Sequence, residues 1–134
     1  MYAVALLALT LLPLGTYPYP PHNPYPFATI GQLFGRDGID VSVARLIALN
    51  IVAFIPLGVL TPVLVPRLKS WLTVLAVGLA ASIAIELTQL GLSAVAGYVY
   101  RQADIDDVIL NVAGAMLGRL LLATVNRRMA PTQG

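Results

Sequence analysis

Apolar runs of membrane-spanning length constrain this 134-residue chain more than anything else in it. Three of them, at about residues 43–65, 71–92 and 105–125, reach the twenty or so residues that a helix needs to cross about 30 Å of hydrocarbon. A fourth, shorter run occupies 2–16. Charged residues make up only 10% of the chain against 58% hydrophobic, and mean hydropathy is +0.83. A water-soluble domain this small could not hide so much apolar surface. The sequence therefore predicts an all-α membrane protein: a bundle of four transmembrane helices at about 2–16, 43–65, 71–92 and 105–125, in a single domain over 1–134.

The basic balance, net +2 with a pI near 9.2, does not point to nucleic acid, because the eight Lys and Arg residues form no patch and mostly flank apolar runs. They read as topology signals. Four helices put both termini on one side. That side carries Arg67, Lys69, Arg127 and Arg128, with Arg119 able to snorkel to it, against Arg36, Arg45 and Arg101 on the other. The positive-inside rule thus predicts a multi-pass protein of the cytoplasmic membrane with both termini in the cytoplasm. The absence of cysteine excludes disulfides, thiolate nucleophiles and Cys-ligated zinc.

The run at 2–16 begins without a basic residue, which reads as a membrane helix and not a signal peptide. Its shortness would also fit a natural start further upstream. Tyr17 to Phe27 holds five of the ten prolines and predicts an extended outer loop, its tyrosines suited to the membrane interface and His22 a polar interface residue more than a metal ligand. Phe27, Ile30 and Leu33 or Phe34 then recur at helical spacing, predicting a short interfacial helix over 27–34. Asp40 or Ser42 can cap the next helix. Pro56 and Pro62 should kink or end it.

Polar residues then collect at one level. Asp107, Asn111, Gly114 and Gly118 share one face of the last helix; Ser82, Glu86 and Gln89 share a face of the third, with Gly78 beside them. Glu86 lies fifteen residues past Trp71, about 22 Å up from that end, while Asn50 and Asn111 come to about 9–10 Å below the other. Arg45, Arg101, Asp104, Asp106 and Asp107 lie just above. One reading is structural: Asp104 as N-cap with Asp107 as its capping-box partner, and Gly78, Ser82, Gly114 and Gly118 as packing residues. The other makes Asn50, Glu86, Gln89, Arg101, Asp104, Asp106, Asp107 and Asn111 a functional cluster, because a membrane carboxylate costs about 2.5–3.5 kcal/mol even on lenient scales.

Four segments resemble the VanZ-like family of small bacterial membrane proteins. Asn23 to Ile30 is similar to its N-x-x-P-F-x-T-I, Asn50 to Gly58 to its N-x-x-x-F-x-P-x-G, and Ser82 to Gln89 to its S-x-x-I-E-x-x-Q. Arg101 to Asp107 with Asn111, Gly114 and Gly118 resembles its R-x-x-D-x-D-D-x-x-x-N-x-x-G-x-x-x-G. The resemblance implies a bacterial cytoplasmic-membrane protein whose named relative is associated with resistance to the glycopeptide teicoplanin.

No acyl-CoA or phosphate loop and no nucleophile with an adjacent base is present, so no cofactor, no metal and a non-enzymatic role are expected. The favoured reading is an envelope-associated binding module whose outward-facing polar site takes the headgroup of a lipid or lipid-linked cell-wall precursor, with Arg45 and Arg101 as anion partners. The alternative is a metal-dependent membrane enzyme acting on a phospholipid or polyprenyl phosphate, with Glu86, Asp106 and Asp107 as ligands or as acid and base. The expected partners are the bilayer, that precursor, and a second copy through the GxxxG face.

Overall fold

Helix ends in this chain are set by residues that satisfy backbone groups which lipid could not. The computed structural model describes Met1, Tyr2, Leu6 and residues 22–35, 38–97 and 103–129. Asp40 stays extended and its carboxylate accepts from Ser42 N at 2.8 Å and Val43 N at 3.2 Å, which starts a helix at Val41–Leu64. Ser70 does the same for Thr73 N and starts the helix Trp71–Ala96. That helix ends where Gly97 turns left-handed at φ 72° and donates to Ser93 O. The last helix, Ile105–Met129, opens with Asp106 and Asp107 and closes with Arg127 and Arg128, each pair complementing the dipole at its end. In chain order the helices are α1 (Ala28–Gly31), α2 (Val41–Leu64), α3 (Trp71–Ala96) and α4 (Ile105–Met129), with a 3-10 turn at Pro66–Leu68.

α2, α3 and α4 are each long and apolar enough to cross a membrane. The fourth expected span, 2–16, lies outside the described residues apart from Tyr2 and Leu6. Tyr2 donates its hydroxyl to Ala53 O at 2.7 Å, and Leu6 packs into the core with Phe54, Val74, Ile85 and Ala115. Most of the proline-rich loop is likewise outside. Of the helix expected over 27–34 only Ala28–Gly31 is helical, because Phe27 is left-handed at φ 65° and Phe34–Gly35 (β2) instead pairs antiparallel with Gly38–Ile39 (β3). A second ladder joins His22–Asn23 (β1) in parallel to Ala103–Asp104 (β4). α2 runs through both Pro56 and Pro62 without ending, and α3 and α4 each run four residues further than expected.

Glycines let α2 and α4 approach backbone to backbone. A Cβ at Gly114 would stand 2.1 Å from Ile51 O, one at Gly118 2.1 Å from Ile55 O, and one at Gly58 1.8 Å from Ala115 O. All three distances are far inside van der Waals contact. α3 packs on the same helix more loosely, a Gly78 Cβ meeting the Ala115 side chain at 3.0 Å. Gly118→Ala should accordingly lower stability by about 1–3 kcal/mol, the usual cost of overpacking. Gly91→Ala, where nothing lies within 4 Å, should not. Thermal unfolding in detergent compares the two, and equal melting temperatures would show that the close approach is not needed.

Candidate functional site

The polar cluster forms at the end of the bundle where β4 leads into α4, and each helix contributes to it through its buried face. Asn50 from α2 donates to Asp107 Oδ1 at 2.5 Å. Asn111 from α4 donates to Ser82 Oγ of α3 at 2.9 Å. Glu86 of α3, only 8% exposed, accepts from Asp104 N at 2.9 Å. Gln89, one turn along α3 from Glu86, is also buried. Of the expected cluster, Asn50 is thus joined to Asp107 and Glu86 to Asp104, which in turn holds Asp106 N; Asn111 is joined to Ser82, and Gln89 is buried close to Glu86 in the sequence of α3. Arg101 lies outside the described residues. Arg45, the other cation offered as an anion partner, is exposed on the opposite side of α2 from Val43 and Asn50, so it does not join the cluster.

The start of α4 is not a capping box. Asp104 Oδ1 does accept from Asp106 N at 2.9 Å, as an N-cap would. Asp107, however, does not reach back to Asp104 N: Glu86 holds that N–H, and Asp107 is turned toward Asn50. A carboxylate from a neighbouring helix has replaced the local partner.

Asp106 is fully buried and has a different task. Its Oδ1 accepts from Phe27 N at 2.5 Å, and its Oδ2 from Thr29 N at 2.8 Å and Ile30 N at 3.1 Å. α1 has no capping side chain of its own. Asp106 supplies the cap from nearly eighty residues away, and holds Phe27 in its left-handed conformation. Thr29 adds a hydroxyl bond to Asp104 Oδ2 at 2.5 Å. The segment 22–31 is thus strapped across the start of α4 by the ladder to β4 and by two carboxylates.

Thr29 was not singled out from the sequence. Its signal was a hydroxyl among apolar residues in the Asn23 to Ile30 segment, overshadowed by the spacing of Phe27 and Ile30. A second unforeseen feature is the Asn111 carbonyl oxygen: Asn111 is 2% exposed, and among the described residues this atom accepts no hydrogen bond. Among the described residues no three acidic or imidazole side chains converge as a metal site.

A family model described as VanZ/LLP1 matches residues 1–126. No curated protein and no solved structure gives a match.

Removing the Asp106 carboxylate orphans three backbone N–H groups in a buried site. Asp106→Ala should cost about 3–5 kcal/mol, the scale for breaking a buried charged network. Asp106→Asn, which keeps an acceptor oxygen, should cost less. Hydrogen exchange reads this directly: the amides of Thr29 and Ile30 should lose protection in Asp106→Ala while those in the middle of α3 keep theirs. Unchanged exchange at 29 and 30 would contradict the remote cap.

Proposed function

We propose, from the premise that the chain belongs to the VanZ/LLP1 family, that it is a membrane-embedded binding module whose polar end takes the headgroup of a lipid or lipid-linked cell-wall precursor. The three apolar helices and the family fit a multi-pass membrane protein. In this reading the bundle sits in the bacterial cytoplasmic membrane with both termini inside, as the distribution of Lys and Arg favours, and the cluster opens to the outer leaflet. A link to teicoplanin resistance would run through the wall precursor.

The observation that carries the reading is Glu86. It is a buried carboxylate in a membrane-spanning helix, where it accepts from Asp104 N, and such a group costs about 2.5–3.5 kcal/mol. Helix adhesion alone is served more cheaply by pairs such as Asn111 and Ser82. The buried Asn111 acceptor adds a group that a ligand donor would satisfy. Arg101, two residues before Ala103 in the sequence, is the cation that an anionic headgroup would meet.

Binding is favoured over metal-dependent lipid chemistry by a specific contact pattern. Asp106, one of the three carboxylates which that chemistry would draw on, has both oxygens engaged by backbone N–H groups.

Native mass spectrometry of the detergent-purified protein tests the proposal. The wild type should carry an anionic or precursor lipid that Glu86→Gln and Arg101→Ala each lose about tenfold, the loss of one charge-assisted contact, with melting temperatures close to wild type. Equal, featureless lipid profiles together with weakened folding would make the cluster structural adhesive only.

A further inference from the structure

The opposite end of the bundle is built from cations alone. No Asp or Glu lies between Val41 and Ile85 or after Asp107, whereas Arg67, Lys69, Arg119, Arg127 and Arg128 all belong to that end. Four of the five are exposed and solvated in the ordinary way. Arg119 is half-buried, and it is held.

Two contacts fix its guanidinium. Nε and Nη2 both donate to Lys69 O, at 3.2 and 3.0 Å, so the turn before α3 is tied to the side of α4. The plane also stands over the Trp71 indole, with Cζ 4.8 Å from the ring centroid. A merely snorkelling arginine needs neither contact. These bonds use two of the five N–H groups, and among the described residues no carboxylate meets the remaining three. A guanidinium pinned in this way has already lost its rotamer freedom, and its free edge offers a fork that matches a phosphate.

The level of the site identifies the class of ligand. Trp71 is 43% exposed at the mouth of an apolar helix, where indoles mark the headgroup layer. Arg119 is stacked on it and therefore stands at the depth of lipid phosphates. Lys69 and Arg67 lie in the same turn and enrich the corner in positive charge. A zwitterionic lipid would bring its own ammonium into that field; an anionic one would not.

We propose that the corner formed by Arg119, Trp71 and Lys69 binds the phosphate of an anionic phospholipid headgroup, with Arg119 as the ligand and Trp71 as the residue that positions it. The site lies at the other end of the molecule from the Glu86 cluster and does not depend on what that cluster binds.

The test is native mass spectrometry of the full-length protein in detergent, with phosphatidylglycerol and phosphatidylcholine of identical acyl chains supplied in equal amounts. Wild type should retain phosphatidylglycerol over phosphatidylcholine by about tenfold, the scale of one bidentate charge-assisted contact. Arg119→Gln should abolish that preference. Trp71→Leu, which leaves the net charge unchanged, should reduce it by several fold, and Arg127→Gln with Arg128→Gln should leave most of it. Melting temperatures accompany each variant; should Arg119→Gln fail to fold, Arg119→Lys, which keeps the charge but loses the fork, takes its place with the same expected loss. A preference that survives at Arg119 and falls with the Arg127 and Arg128 pair would mean diffuse attraction and overturn the site. Inorganic phosphate binding with the same dependence on Arg119, and displacing the lipid, would overturn the assignment to a lipid.

Discussion

Hydrocarbon offers a backbone N–H no partner, so every helix end near the membrane must find its acceptor within the chain. Around the starts of α1, α2 and α4 carboxylates fill that role. Asp106 caps a four-residue helix from a distant segment, Glu86 takes the first free N–H before α4, and Asp104 takes the next. Remove these acceptors and α1, β4 and the start of α4 lose their common anchor. Charged groups that look wasteful in an apolar chain are what satisfy its irregular backbone.

The second requirement is a short distance between helices. Asn50 can reach Asp107 only because α2 and α4 approach backbone to backbone along Gly58, Gly114 and Gly118. These two helices run parallel, with α3 antiparallel between chain segments, so small residues serve as spacers for the polar level above them. Packing and site are thus one construction. The interior that results is unusual: the buried polar residues Asn50, Ser82, Gln89, Asp106 and Asn111 stand with Phe54, Val74 and Ala115, while large apolar residues such as Leu72, Leu87 and Val95 face outward. Lipid reverses the usual sorting, since polar groups gain more from one another than from the solvent.

Much of this was legible in the sequence because hydrophobicity over twenty residues is a strong signal and capping chemistry is local. The three long helices, the Asp40 cap and the shared face of Ser82, Glu86 and Gln89 all follow from spacing. What spacing could not reveal is partner choice. Asp104 and Asp107 have the separation of a capping box, yet Glu86 and Asn50 compete for the same groups from other helices, and at low dielectric the better geometry wins. The remote cap on α1 was hidden for the same reason: Asp106 and Thr29 lie 77 residues apart, and nothing local pairs them. Helix ends were read short by four residues in α3 and α4, since Ser93 to Ala96 and Asn126 to Met129 are polar or small enough to resemble a loop but remain good helix when Gly97 or terminal arginines finish them.

Assigning each carboxylate a structural task also narrows what can be left for function. Asp106 is saturated by three backbone donors, so a substitution there reports on folding first. Asp104 is divided between Thr29 and the turn of α4. Glu86 is buried on α3 and accepts from Asp104 N across the interface between α3 and the start of α4. It lies one helical turn from Ser82, whose partner Asn111 has, among the described residues, an unanswered acceptor. A ligand that brings donors to this level would meet both groups at once.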